Sequence, residues 1–366
     1  MSWIGRQRLA LVPVYRPNAH PPDVIPPNWR DQIFARALFD PDPVAKIDRS
    51  LRAYIHTVSS GLADLDAVVW DIQTVDQQDV PPGILEPELG PKLRQQGFDA
   101  AAIVMLGGVG AGTSAGFWVR FVMVEGVGVW AMEFMHSLTG FGDLYPFGGN
   151  MGAFDEMACA CGTHPSAYTK TAIGWLDSGA VVHHTAASAE YPLHAVGLVQ
   201  PPPFGRTTAI RVQSGAQIPY LMIEARLHCD QFDAHIPGEG VIVYRVQTSD
   251  PLGHAQNQTA PVVLLTPAPL SVGQTFAADG GLQVQVLSAL VDGFLVRVTS
   301  PDVAVPDVTE LSQAIAAHTI TAAGLVPKFT GVSGPHSWVF HQSPAAGTLV
   351  SVGSTVTMSL KSGPLP

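Results

Sequence analysis

The chain has 366 residues, 46% of them apolar and only 13% charged, with a formal net charge of −11. That length exceeds one ordinary core and implies two or three domains, and the acidic balance argues against nucleic acid or an anionic membrane as partner. Its 36 glycines and 31 prolines favour turns and β-structure, and no apolar run approaches the roughly 20 residues of a membrane span.

In chain order, RLALVPVY (8–15) alternates and predicts a strand. Pro13 breaks its apolar run and no small-residue cleavage site comes after it, so it does not read as a signal peptide. A Pro-rich loop is next. Val44, Ile47, Leu51, Tyr54, Ile55 and Val58 then recur three or four apart. That spacing predicts a helix starting at Asp42-Pro43 and stopping at Gly61. DAVVWDIQTV predicts a strand, PELGPKLRQQG a short helix and FDAAAIVMLGG a buried strand. GFWVRFVMVEGVGV reads as strands and 129–138 as a helix. This alternation is an α/β arrangement. Within it, Gly110-x-Gly112-x-x-Ala115 has dinucleotide-loop spacing, but such a loop must open a helix. The next segment, FWVRFVMV, reads as strand, so the glycines are read as a Gly-rich turn. A Walker loop is excluded because Thr113 stands where its lysine belongs.

Beyond Gly179 the pattern becomes all-β. TTAIRVQSG, IPYLMIEARL, GVIVYRVQT, APVVLLTP, GLQVQVLSAL and GFLVRVTS are short strands between turn residues, which predicts a sandwich. VTSPDVAVPDV reads as a linker, and the tail as a helix, a strand, a loop and a strand. The expected domains are 1–180, 181–300 and 301–366. Cys159 and Cys161 are one residue apart, too close for an ordinary mutual disulfide. The expectation is three reduced, buried thiols, with Cys229 paired to one of the other two as the alternative.

The stretch WAMEFMHSLTGFGDLY (130–145) carries the chemistry. In a zincin helix, histidines at i and i+4 share one face and reach one ion. The intervening glutamate takes a proton from the metal-bound water. Here those positions are Met132 and His136, with Glu133 between them, and Gly140 and Gly142 can turn the chain so that Asp143 returns as a third donor. A methionine thioether is neutral and soft, suited to copper(I) rather than zinc. Read alone, E-x-x-H equally describes a buried amphipathic helix with Trp130, Phe134 and Leu138 in the core.

With FGDLY included, M-E-F-M-H-S-L-T-G-F-G-D-L-Y resembles the H-E-F-G-H-x-L-G-L-P-D-L-Y motif of the immune inhibitor A type of metallopeptidase, a metzincin-like family. One residue is inserted before the Asp. GAFDEMACACGTHPSAYTKTAIGWL and YLMIEARLHCDQFDAHIPGEGVIVYRV are similar to two further blocks of that family. The resemblance spans roughly 8–248, with the β region to Ser300 as its companion. It implies a metzincin-like α/β domain plus an all-β sandwich, a zinc cofactor, and an extracellular or cell-surface setting. Residue by residue, it implies Glu133 as general base, His136 and Asp143 as metal ligands, and Met157 as the methionine of the turn beneath the metal. Met132 stands at the first ligand position and Met135 where the family has glycine. His164, just after the methionine turn, is a further candidate ligand.

The resulting expectation is a metallopeptidase-like pseudoenzyme, with zinc weak or absent, that acts in binding or assembly. The alternatives are an active zinc endopeptidase using His136, Asp143 and His164 with Glu133 as base, and a structural subunit of a surface assembly. The tail, with VPDVTELSQAIAAHTITAAGLVPKFTG and QSPAAGTLVSVGSTVTMSL, resembles the small α+β PASTA domain, with Glu310 where glycine is usual. That implies contacts with a protein or a cell-wall component, or a spacer.

Overall fold

The computed structural model describes residues 2–19, 25–42, 44–45, 47–77, 79–108, 112–213, 218–248, 259–278, 281–334 and 336–363. The first sheet is built from β1 (Gly5–Tyr15), β2 (Ala63–Val69), β3 (Gln73–Thr74), β4 (Ala100–Met105), β5 (Thr113–Ala115) and β6 (Trp118–Val122). Its order is β2-β1-β4-β6-β5, with β3 extending the β1 edge. β1, β2, β4 and β6 run parallel, and only β5 is antiparallel. β1 and β4 read as continuous apolar runs because they are covered on both faces. Leu9, Leu11, Ala100, Ala102 and Val104 enter one core, while Ala10, Val12, Ala101 and Ile103 enter the other.

Four helices cover this sheet: α1 (Trp29–Leu38), α2 (Leu51–Val58), α3 (Glu86–Gln95) and α4 (Val127–Thr139). Leu89 and Leu93 of α3 fill one face, and α1, α2 and α4 fill the other. The expected helix from Asp42 is shorter than its spacing suggested. α2 begins after Ser50, whose hydroxyl caps Ala53 N at 3.2 Å. Upstream, the Asp42 carboxylate takes the amides of Val44 and Ala45 and the chain folds back through a Pro41–Asp48 bridge. Val44 is left 89% exposed. Asp42 therefore makes a local turn instead of a helix start, and Pro43 lies outside the described residues. GVGV likewise is not strand: Gly126 caps α4 and Val127 opens it.

Two short helices come next, α5 (Glu156–Cys159) and α6 (Ala167–Ile173). Then come β7 (Val181–His184), β8 (Ser188–His194), β9 (Ala209–Gln213), β10 (Tyr220–Arg226), β11 (Gly240–Val246), β12 (Val262–Leu264), β13 (Thr275–Ala277), β14 (Gln283–Leu290) and β15 (Gly293–Thr299). They form a five-stranded sheet, β12-β11-β10-β9-β7, and a four-stranded sheet, β13-β14-β15-β8. Strand alternation divides the first of these cleanly. Ile210, Ile223, Ala225, Val241 and Val243 pack against the second sheet. Ala209, Met222, Ile242 and Tyr244 join the core that contains Trp130 and Phe134 of α4. One apolar core thus runs without a break from the parallel sheet into the sandwich.

The tail contains β16 (Asp302–Ala304), α7 (Gln313–Ala322), β17 (Val326–Gly331), β18 (Ser337–Ser343), β19 (Leu349–Ser351) and β20 (Thr355–Ser362). β17 and β18 flank β20, and α7 packs Ala316 and Ile320 onto Val339, Val356 and Met358. Glu310 has φ +64°. That left-handed backbone is one glycine adopts more readily than glutamate.

Candidate functional site

The site is assembled on α4 and the turn after it. Trp130 stacks on Phe121 with centroids 4.3 Å apart, and Phe134 meets the same ring edge-on. These contacts fix the helix by its apolar face. Gly128 lies where a Cβ would strike the backbone of Ala160 and Gly162, so the first turn of α4 packs directly on the α5 turn. Gly140, left-handed at φ +75°, ends the helix with its amide on the His136 carbonyl. The chain then reverses and brings Phe141 and Asp143 back to His136.

Both nitrogens of His136 face oxygen. Nδ1 is 2.6 Å from the Phe141 carbonyl and Nε2 is 3.0 Å from Asp143 Oδ1. Only the imidazolium donates at both nitrogens. Burial works against that cation, but the Asp143 carboxylate and the Phe141 carbonyl outweigh it, and the His136 pKa rises. Tyr145 donates its hydroxyl to Asp143 Oδ2 at 2.9 Å. Burial, with Asp143 beside it, pushes this phenol up to about 12. Glu133 is 6% exposed and its Oε2 has no hydrogen-bond partner. Burial pushes its carboxyl up to about 7, with Asp143 adding to the rise and His136 opposing it. Gly112, the described end of the Gly-rich turn, lies against the Glu133 carboxyl, where any Cβ would collide with it. Gly110 lies outside the described residues.

Met132 and Met135 are packed in the apolar core, Met132 at 5% exposure. Met157 is fully buried in α5, and its carbonyl accepts the amide of Leu144 at 2.8 Å. The Met157 turn therefore props up the segment that carries Asp143. Zinc hydrolase sites generally present three protein donors and leave one position for water. Here the donors that face each other are His136 and Asp143, one short of that number. Among the described residues no group of three or more His, Cys, Asp or Glu side chains is arranged to hold an ion.

The structure brings Glu133, His136 and Asp143 together but places His164 elsewhere. Its ring is fully buried, with Nε2 2.9 Å from Asp230 Oδ2 and Nδ1 3.2 Å from Lys170 Nζ. Around it runs a charge network that periodicity and motif spacing did not reveal. Arg226 donates to Asp233, to Glu224 and to the carbonyls of Phe154 and His164. Glu224 accepts the Ala167 amide and the Tyr244 hydroxyl. Asp155 caps α5 and also accepts from Ser166 N and Thr169 Oγ1. Glu156 accepts the amides of Gly162 and Thr163, and burial pushes its carboxyl up to about 8. The available signal was Glu224 and Arg226 at two-residue spacing among core-facing positions of β10.

The cysteine expectation is also corrected. Cys159 and Cys161 form a disulfide with Cα atoms 5.2 Å apart. Ala160 between them is left-handed, φ +54°, and bends the chain enough to bring the two side chains together. Cys161 is exposed and Cys159 half-buried. Cys229 remains a free, half-buried thiol, raised by burial to about 12. Of the adjacent histidines, His183 is exposed, while His184 is buried against the Tyr191 hydroxyl at 2.8 Å.

No helix among the described residues is long and apolar enough to cross a membrane. No curated protein matches the chain. One family does: residues 303–361 match the PASTA domain, so the chain carries a C-terminal PASTA domain beside its β-rich, mixed α/β body.

Proposed function

We propose that this chain is a metallopeptidase-like protein of the immune inhibitor A type that does not hydrolyse peptides and acts in binding or assembly, with the PASTA domain as a second contact. One observation carries the reading. Where the resemblance expects the first zinc ligand, Met132 is packed into the apolar core, and the two remaining donors, His136 and Asp143, are paired with each other. A metal-bound histidine must present a free ring nitrogen, whereas here both nitrogens of His136 already face oxygen, Nδ1 the Phe141 carbonyl and Nε2 the Asp143 carboxylate. The base position keeps its carboxyl, and burial pushes Glu133 up to about 7. Zinc is therefore bound loosely or not at all. The Phe141 carbonyl against His136 Nδ1 and the Met157 carbonyl on Leu144 N both serve to place the segment 140–145. That segment presents Tyr145, with Phe147 just beyond it, each about half exposed, on the surface beside the site. Retained shape with a lost donor suits recognition of a protein partner better than turnover.

The reading is tested by incubating purified full-length chain with casein and a quenched peptide library in a roughly hundredfold excess of zinc over a typical weak-site Kd, beside Glu133→Gln. The expected rates of the two proteins are indistinguishable from buffer. Zinc-dependent cleavage by the parent that disappears in Glu133→Gln rejects the proposal.

A further inference from the structure

The open end of the sandwich forms a second candidate site, independent of the α4 region. On β11 the inward row is Val241, Val243 and Arg245, because alternate residues share a face. The first two lie in the sandwich core. The third stands at the same level as Leu221, its register partner on β10. There lies a cavity of about 450 Å³. Its walls are largely apolar, with Val212 and Leu221 from one sheet and Leu282 from the other. The end of α7 with Gly324, and Val352, close it from the PASTA side. That volume lies in the range of small-molecule sites, about 300–1,000 Å³.

Arg245 is the one arginine lining this cavity. Several other arginines have carboxylate partners: Arg52 and Arg6 on Asp64, Arg94 on Glu86, Arg226 on Asp233, Arg297 on Glu190. Among the described residues, Arg245 has neither an ion pair nor a side-chain hydrogen bond, although the chain carries 30 acidic residues against 19 basic ones. Arg245 is half-buried, and a guanidinium at a cavity wall offers a forked set of donors that an anion can answer. At the cavity, Ser300 is 5% exposed and its hydroxyl also lacks a partner.

We propose that this cavity binds a small organic carboxylate with an apolar body. The guanidinium fork matches a carboxylate bidentately, and the aliphatic walls take the tail. A bare inorganic anion leaves those walls wet, and a neutral apolar molecule leaves Arg245 unanswered.

The test is calorimetric titration of the full chain with decanoate and with decanol, which share the tail and differ in the head group. Decanoate is expected to bind saturably at one site, at least tenfold tighter than decanol. Arg245→Leu is expected to weaken decanoate at least tenfold and to erase the difference between the two ligands. Ala322→Trp, at an exposed position on the rim, fills the mouth without touching the cation and is expected to abolish binding of both. Methyl chemical shifts of Leu221 and Leu282 in the unmodified chain locate the ligand without any substitution, so the proposal remains testable if Arg245→Leu does not fold. No saturable decanoate binding, equal affinity in folded Arg245→Leu, or shifts confined to other methyls overturns the proposal.

Discussion

Replacing Arg226 by methionine tests whether the 154–164 segment is held to the sandwich by buried charge. The guanidinium is fully buried and makes five hydrogen bonds: 2.9 Å to Phe154 O, 3.3 Å to Glu224, 3.1 Å to His164 O, and 2.9 and 3.1 Å to the two oxygens of Asp233. Methionine keeps most of the volume and removes every donor. Breaking a buried ion pair from one side costs about 3–5 kcal/mol, and each orphaned carbonyl adds about 1–3 kcal/mol unless water reaches it. The expected loss is therefore at least about 4 kcal/mol, a large share of the roughly 5–15 kcal/mol that stabilises a typical domain. Urea unfolding of the full chain at pH 7 measures it. The pH dependence sharpens the test. Burial holds the Glu224 carboxyl above its unfolded pKa, and Arg226 opposes that rise, so without the cation the rise is larger. A carboxyl of that kind contributes stability that is fully present below its unfolded pKa and lost as pH rises through the folded one. The deficit of Arg226→Met should accordingly shrink as pH falls from about 8 towards about 5, and Asp233→Asn in the same background should restore part of it. A deficit below about 1 kcal/mol at pH 7, or one that ignores pH, would falsify the network as the clamp.

Lys170 carries a second pH signature. Burial lowers its ammonium from the ordinary value of 10.5 to about 8, so between those values the unfolded chain binds the extra proton and stability rises with pH. The rise is about 3 kcal/mol in all, and Lys170→Met should flatten that part of the stability curve. Gly128→Ala forces a methyl into the backbone of Ala160 and Gly162 and should cost about 1–3 kcal/mol or more, read as a lower urea midpoint. Ser50→Ala removes the α2 cap and should cost about 1 kcal/mol in the same assay. Thiol counting in denaturant should find one reactive cysteine, Cys229, before reduction and three after it; three before reduction contradicts the Cys159–Cys161 bridge.

Periodicity carried most of the fold. β1 was legible as an alternating strand and β4 as a buried apolar run, α3 as a short helix, and the strands after Gly179 as short strands between turn residues. It misled at 42–50, where Val44 and Ile47 fall on helical spacing by accident while Asp42 captures the amides of its own turn. It misled again at GVGV, because two glycines and two valines resemble strand until the close approach of Gly128 to the α5 turn is known. Glu133, His136 and Asp143 were legible because fixed helical spacing and one glycine turn bring them together locally. The network of Asp155, His164, Lys170, Glu224, Arg226 and Asp233 was not, since its members meet only after α6 packs on β10. Sequence proximity to the methionine turn suggested that His164 joins the site, but its ring is committed to Asp230 and Lys170. The Cys159–Cys161 bridge was missed because a spacing rule cannot foresee a left-handed alanine between them.

Whether the α4 site is short of a donor is decided by zinc titration of Met132→His beside the unmodified chain. Residues 132 and 136 share one helical face, so histidine at 132 supplies the missing ligand at the cost of some core packing. Zinc at about 100 times the Kd of a restored site stabilises by about 2.7 kcal/mol. That concentration should therefore raise the melting temperature of Met132→His and leave that of the unmodified chain in place. If the unmodified chain instead takes up one zinc per molecule and gains as much in melting temperature as the variant, Met132 has not disabled the site and the pseudoenzyme reading fails.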